Sequence, residues 1–95
     1  MIPDNAVPGN EKRVQLFPNP VQIQAVFRYS ILNHNRAELS LYDMQGKQVE
    51  LLFNELKSPG TYDHEISMEN LEPGVYFYRF KAGDYMESGK MVILE

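Results

Sequence analysis

Two histidines, five serines, six tyrosines and thirteen carboxylates are the side chains from which this 95-residue chain would have to build a reaction centre, because it contains no cysteine. That absence removes thiolate metal sites, thiol nucleophiles and disulfides together. His34 and His64 stand thirty residues apart without H-E-x-x-H or H-x-H spacing, so both read as turn or surface residues. None of Ser30, Ser40, Ser58, Ser67 and Ser88 lies in a G-x-S-x-G turn, and the six isolated glycines form no phosphate loop. Asp63 and Glu65 would share one strand face, where paired carboxylates can hydrolyse glycosides. Charges alternating along a solvent-facing strand also keep sheets from pairing edge to edge, and that reading is preferred in a chain too small for a two-domain cleft. Asp43, Glu69, Glu72 and Asp84 fall in loops where calcium ligands could gather, without the D-x-[DN]-x-[DN]-G run that would organise them. Tyr42, Tyr78 and Tyr85 could stack on a sugar, but eleven aromatic rings in a small β domain are needed first for the core and for cross-strand pairs. The chain is therefore expected to be no enzyme and to hold no cofactor or metal.

The elements that would position these residues are constrained by size and charge. At 43% hydrophobic and 23% charged, 95 residues bury roughly 65% of their accessible surface, which suits one core. Nine basic against thirteen acidic side chains give a net charge of −4, and only Lys12 and Arg13 are adjacent cations. A nucleic-acid partner needs clustered Lys and Arg and is not expected, nor is a small-molecule substrate. Apolar runs such as Met91 to Leu94 reach four residues, against about 20 for a membrane span. Residues 1–20 mix charges with four prolines and lack the apolar centre of a signal peptide, so an export signal would belong to a parent chain.

Residues 1–13 are rich in Pro, Gly and polar side chains and read as a linker, with the domain occupying 14–95. From Val14 onward, short alternating runs are separated by turn residues every eight to twelve positions, the spacing of an antiparallel sandwich or barrel of about seven strands. Phe27, Tyr29 and Ile31 share one face of QAVFRYSIL, as Ala37, Leu39 and Leu41 do in AELSLYD. Asp43 to Gly46 suits a type I turn into the strand KQVELLF, which is expected to end near Asn54 ahead of an irregular connection to Pro59. Tyr62, His64, Ile66 and Met68 alternate with Asp63, Glu65 and Ser67, and two further strands close a hairpin over Gly83 and Asp84.

Pro59-Gly60-Thr61-Tyr62 and Pro73-Gly74-Val75-Tyr76 repeat one pattern, P-G-x-Y, fourteen residues apart. Each reads as a turn entering a strand, with Pro fixing φ and Gly accepting positive φ. Leu71 to Tyr76 further resembles the tyrosine corner of immunoglobulin-like sandwiches, a structural device. The expected fold is accordingly an all-β, immunoglobulin-like antiparallel sandwich.

Four segments taken in order carry a functional resemblance: Leu16-Phe17-Pro18-Asn19-Pro20, Leu41 to Val49 (LYDMQGKQV), Gly74 to Phe80 (GVYFYRF), and Gly89 to Leu94 (GKMVIL). Together they resemble the C-terminal sorting domain of type IX secretion substrates from Bacteroidetes, over Val14 to Glu95. One strand departs from that pattern, since Ile66 stands where many members carry Trp. The resemblance implies a signal read by the outer-membrane type IX translocon, covalently linked to an upstream cargo. It also implies passage through the periplasm to the outer-membrane surface or the medium, with removal by a cell-surface sortase-like protease cutting before Val14. The family's terminal motif maps onto Gly74, Val75, Tyr76, Lys90 and Val92, and the last strand is expected to offer its edge and the Lys90 ammonium to a partner. The competing expectation is an immunoglobulin-like spacer or carbohydrate-binding module of a surface protein.

Overall fold

The computed structural model describes residues 12–69 and 71–94, so most of the expected linker lies outside the described residues. Seven strands follow in order: β1 (Val14–Phe17), β2 (Gln24–Ile31), β3 (Asn35–Tyr42), β4 (Gln48–Lys57), β5 (Gly60–Ser67), β6 (Gly74–Ala82) and β7 (Tyr85–Ile93). They form two antiparallel sheets, ordered β1-β2-β5 and β4-β3-β6-β7, and no helix occurs among the described residues. The fourth strand lies beside the third, whereas in constant-type immunoglobulin domains it joins the sheet of strands one, two and five.

Period-2 patterning fixes which faces meet. Phe27, Tyr29 and Ile31 of β2 oppose Leu39, Leu41, Tyr78 and Phe80 of the other sheet, and all are buried. Tyr29 stacks on Phe53 at 4.9 Å and on Tyr62 at 5.5 Å, while Phe27 meets Tyr78 edge-on at 5.2 Å. Ile66, at the strand where a Trp was the family's habit, fills its share of the core with aliphatic carbon.

β4 runs three residues beyond the expected end, to Lys57, leaving a connection of Ser58 and Pro59. The reason is tertiary: Glu55, Leu56 and Lys57 pair in register with Ala37, Arg36 and Asn35 of β3. Two register shifts, which place Leu52 and Val49 as extra residues, break the alternation that would have revealed the strand's length.

Candidate recognition corner

Both P-G-x-Y segments fold into the same object. Gly60 and Gly74 adopt φ of 152° and 150°, a region essentially closed to residues with a Cβ. Two residues later the Tyr62 hydroxyl donates to the Ser58 carbonyl and the Tyr76 hydroxyl to the Glu72 carbonyl, each at 2.7 Å. Each tyrosine thus ties its strand back to the chain four residues upstream. The expected tyrosine corner at Leu71–Tyr76 is present, and it has a twin at the start of β5.

The four motif segments meet at one end of the larger sheet. Gln48, Tyr42, Phe77 and Lys90 lie on a single rung across β4, β3, β6 and β7. Two and three rungs further along, Val75 faces Val92 and Gly74 faces Ile93. Alternation directs Val75, Phe77, Lys90 and Val92 to the outer face, where Phe77 and Lys90 are exposed and the two valines half-buried. Tyr76, opposite Met91, packs against the core. Of the expected recognition residues, Val75, Lys90 and Val92 therefore share a surface, while Gly74 and Tyr76 hold the strand that displays it. Gly89 has a steric role, since a Cβ there would come within 2.3 Å of the Tyr78 ring.

From Lys90 onward the outer edge of β7 is closed, contrary to the expectation of an open one. The Asn19 side chain donates to the Lys90 carbonyl at 2.9 Å and accepts from the Val92 N–H at 3.1 Å. The Val21 N–H then donates to the Val92 carbonyl and the Leu94 N–H to the Val21 carbonyl, both at 2.7 Å, making a parallel bridge. A carboxamide carries the same donor and acceptor as a peptide unit, so Asn19 continues the ladder where its proline neighbours cannot. Phe17–Pro18 and Asn19–Pro20 are both cis. The signal for this clasp was an Asn between two prolines, and its role was missed. Strand addition from Lys90 onward is blocked, while the Lys90 side chain remains exposed.

Tyr42, Met44, Phe77, Arg79 and Ser88 line an open depression of about 310 Å³ on this face. The Arg79 guanidinium lies 4.7 Å from the Tyr42 ring centre and donates to its hydroxyl. Asp43 Oδ1 accepts from the Gln45 and Lys47 N–H groups, each at 2.9 Å, which fixes the β3–β4 turn at the rim. At the other end of β7, the Arg13 N–H donates to Glu87 Oε1 at 2.8 Å while its guanidinium covers the Tyr85 ring at 3.9 Å. Burial, then the hydrogen bond and charge of Glu87, push the Tyr85 phenol up to about 12. It therefore stays protonated and donates to Glu87 at 2.5 Å.

The remaining candidates are placed elsewhere. Asp63 is engaged by Arg28 in a two-point pair at 2.8 and 3.1 Å on the outer face of the smaller sheet, and the guanidinium holds its carboxyl below the usual range. His64 lies against the Phe53 ring, His34 is exposed in a turn, and no group of three His, Asp or Glu is gathered among the described residues. As sugar platforms, Tyr78 is buried, Tyr85 is covered by Arg13 and Tyr42 is flanked by Arg79.

No curated protein matches the chain. Among protein families, residues 15–94 match the one described as the secretion system C-terminal sorting domain, a family of signals and not of enzymes. That match takes in all four converging segments and all seven strands but the first residue of β1. The chain belongs to the type IX secretion C-terminal sorting domain family, and it is a sorting signal for export, attached to a cargo, by that system.

Proposed function

We propose that the translocon in the outer membrane reads this signal at the corner formed by Val75, Phe77, Lys90 and Val92, with Gly74, Tyr76 and Asn19 holding it in shape. The observation that supports this most directly is the convergence of four segments, remote in sequence, on one rung and its clasp. Packing alone does not require Phe77 and Lys90 to face water side by side, because neither fills the core. An exposed aromatic beside an exposed cation supplies apolar area and one charge: aromatic rings are enriched where proteins meet, and a charge beside them steers encounter and fixes orientation.

In this reading the cargo lies upstream of Arg13 and crosses the periplasm with the folded domain. A sortase-like protease at the cell surface cuts before Val14, in the stretch whose Pro, Gly and polar composition reads as a linker, and leaves the cargo on the outer surface or in the medium. The test is a fusion of residues 1–95 to the C-terminus of a periplasmic reporter in a type IX-competent host. Reporter should appear outside the cell and shorten to its own mass. Folded, stable fusion retained in the periplasm would exclude the reading, and export without shortening would exclude the protease step alone.

A further inference from the structure

The two outer faces of the sandwich carry opposite charge. On the smaller sheet the outward strand positions include Asp63 and Glu65, and their one cation, Arg28, is already paired with Asp63. On the larger sheet the outward positions hold Arg36, Arg79, Lys81 and Lys90, four of the nine cations of a chain whose net charge is −4. Their one outward carboxylate is Glu38, which accepts from Ser40. Arg36 donates to the neutral Asn54 and Arg79 to the neutral Tyr42. The ion pairs among the described residues, Arg28–Asp63 and Lys57–Glu55, leave all four cations of this face without a carboxylate.

Between these cations lie exposed apolar groups: Leu51 at 48%, Leu56 at 61%, Phe77 at 40% and Met86 at 57%. Aromatic, Met and Arg residues are the types enriched where proteins meet. The cations are spread over several rungs instead of converging on one point, which suits many separate carboxylates better than a single phosphate. Four strands of about eight residues present roughly 500 Å². A standard interface buries about 800 Å² per partner, so this face fits the small, transient class.

From this we infer that the outer face of β4-β3-β6-β7 docks, beyond the recognition corner, on an acidic protein surface of the export machinery whose carboxylates oppose Arg36, Arg79, Lys81 and Lys90. The inference rests on the reading of the corner as the translocon's contact and extends it across the sheet. Opposite charges steer encounter and set orientation, while the apolar residues between them supply the contact area. Release is fast because the area is small, as a signal that must let go of its reader requires.

The test uses the reporter fusion with Arg36→Gln/Lys81→Gln, both outside the corner, against Gln15→Glu/Gln24→Glu on the other face. Each pair lowers the net charge by the same amount. With melting temperatures matched to the parent, the first pair should slow export about fivefold or more and the second should leave it unchanged. Export of the unaltered fusion with no effect of Arg36→Gln/Lys81→Gln overturns this inference and leaves the proposed function standing; failure of the unaltered fusion overturns both. Independently of any variant, carbodiimide treatment of outer membranes from exporting cells should join Lys81 and Lys90 to Asp- or Glu-containing peptides of a membrane protein. Cross-links spread evenly over Lys12, Lys47 and Lys57 overturn it. So does co-sedimentation with phosphatidylcholine vesicles containing phosphatidylglycerol that is lost in Arg36→Gln/Lys81→Gln, because the face would then read a lipid headgroup.

Discussion

The corner that opens β5 and the corner that opens β6 share Pro, a glycine near φ 150° and a tyrosine hydroxyl bonded 2.7 Å back to a carbonyl. Their surroundings differ. Tyr62 stacks on Tyr29 and carries the Lys57 ammonium 4.6 Å above its ring, on a strand that ends the smaller sheet. Tyr76 belongs to a strand between β3 and β7, with Val75 and Phe77 set beside Val92 and Lys90 and the Asn19 clasp one strand further. An identical local device therefore stabilises both places, yet only one of them presents a surface assembled from distant segments. The difference teaches that P-G-x-Y is a strand-starting element, and that its neighbours decide whether it contributes to an address.

Four experiments would break or sharpen that contrast, beginning with the glycines. Gly60→Ala and Gly74→Ala should each cost about 1–3 kcal/mol in denaturant unfolding, because both force a Cβ into a backbone region reserved for glycine. Compared at a temperature where both remain folded, Gly74→Ala alone should reduce export; equal loss in both would abolish the distinction. Next is the clasp: Asn19→Ala removes two hydrogen bonds to β7 and should cost about 1–2 kcal/mol. Amide exchange should accelerate at Val92 while the amides of β5 keep their protection, and uniform acceleration would mean that the clasp supports the whole fold.

Tyr62→Phe and Tyr76→Phe each delete one hydroxyl and should cost about 1 kcal/mol apiece by thermal denaturation. A much larger loss at Tyr76 would show the corners to be unequal as scaffolds. The smallest stability effect belongs to Lys90→Ala, below about 0.5 kcal/mol for an exposed side chain, together with the largest fall in reporter export. Normal export from the Lys90 variant would remove the corner from the recognition surface.

Much of this was legible in the residues. Alternation in β2, β3 and β5 placed Phe27, Leu39 and Ile66 in the core, because a half-buried strand must alternate. β4 was cut short because the extra residue Leu52 puts three consecutive apolar side chains, Leu51 to Phe53, where a regular strand would alternate, and the extra Val49 shifts the register again. The second tyrosine corner was visible as an echo of sequence, though the hydrogen bond that makes it one needs the fold. The clasp was illegible in a stronger sense. Asn19 lies 71 positions from Lys90, and nothing in the local text of an Asn between prolines says which strand edge it will complete. The charge segregation of the two faces escaped composition for the same reason: a net charge averages over surfaces that pairing and register separate.

Arg13 and Asn19 bracket β1, and both are fastened to β7, at Glu87 and at Lys90 and Val92. Tension applied through the upstream chain while the corner is held would run along β1 and β7, parallel to the strands. Hydrogen bonds between antiparallel strands lie perpendicular to them, so the β1–β2 bonds, the Ser30–Arg13 bond and the Glu87 anchor would be loaded side by side instead of one after another. Under such a load the domain would be sheared, with several hydrogen bonds sharing the force at once.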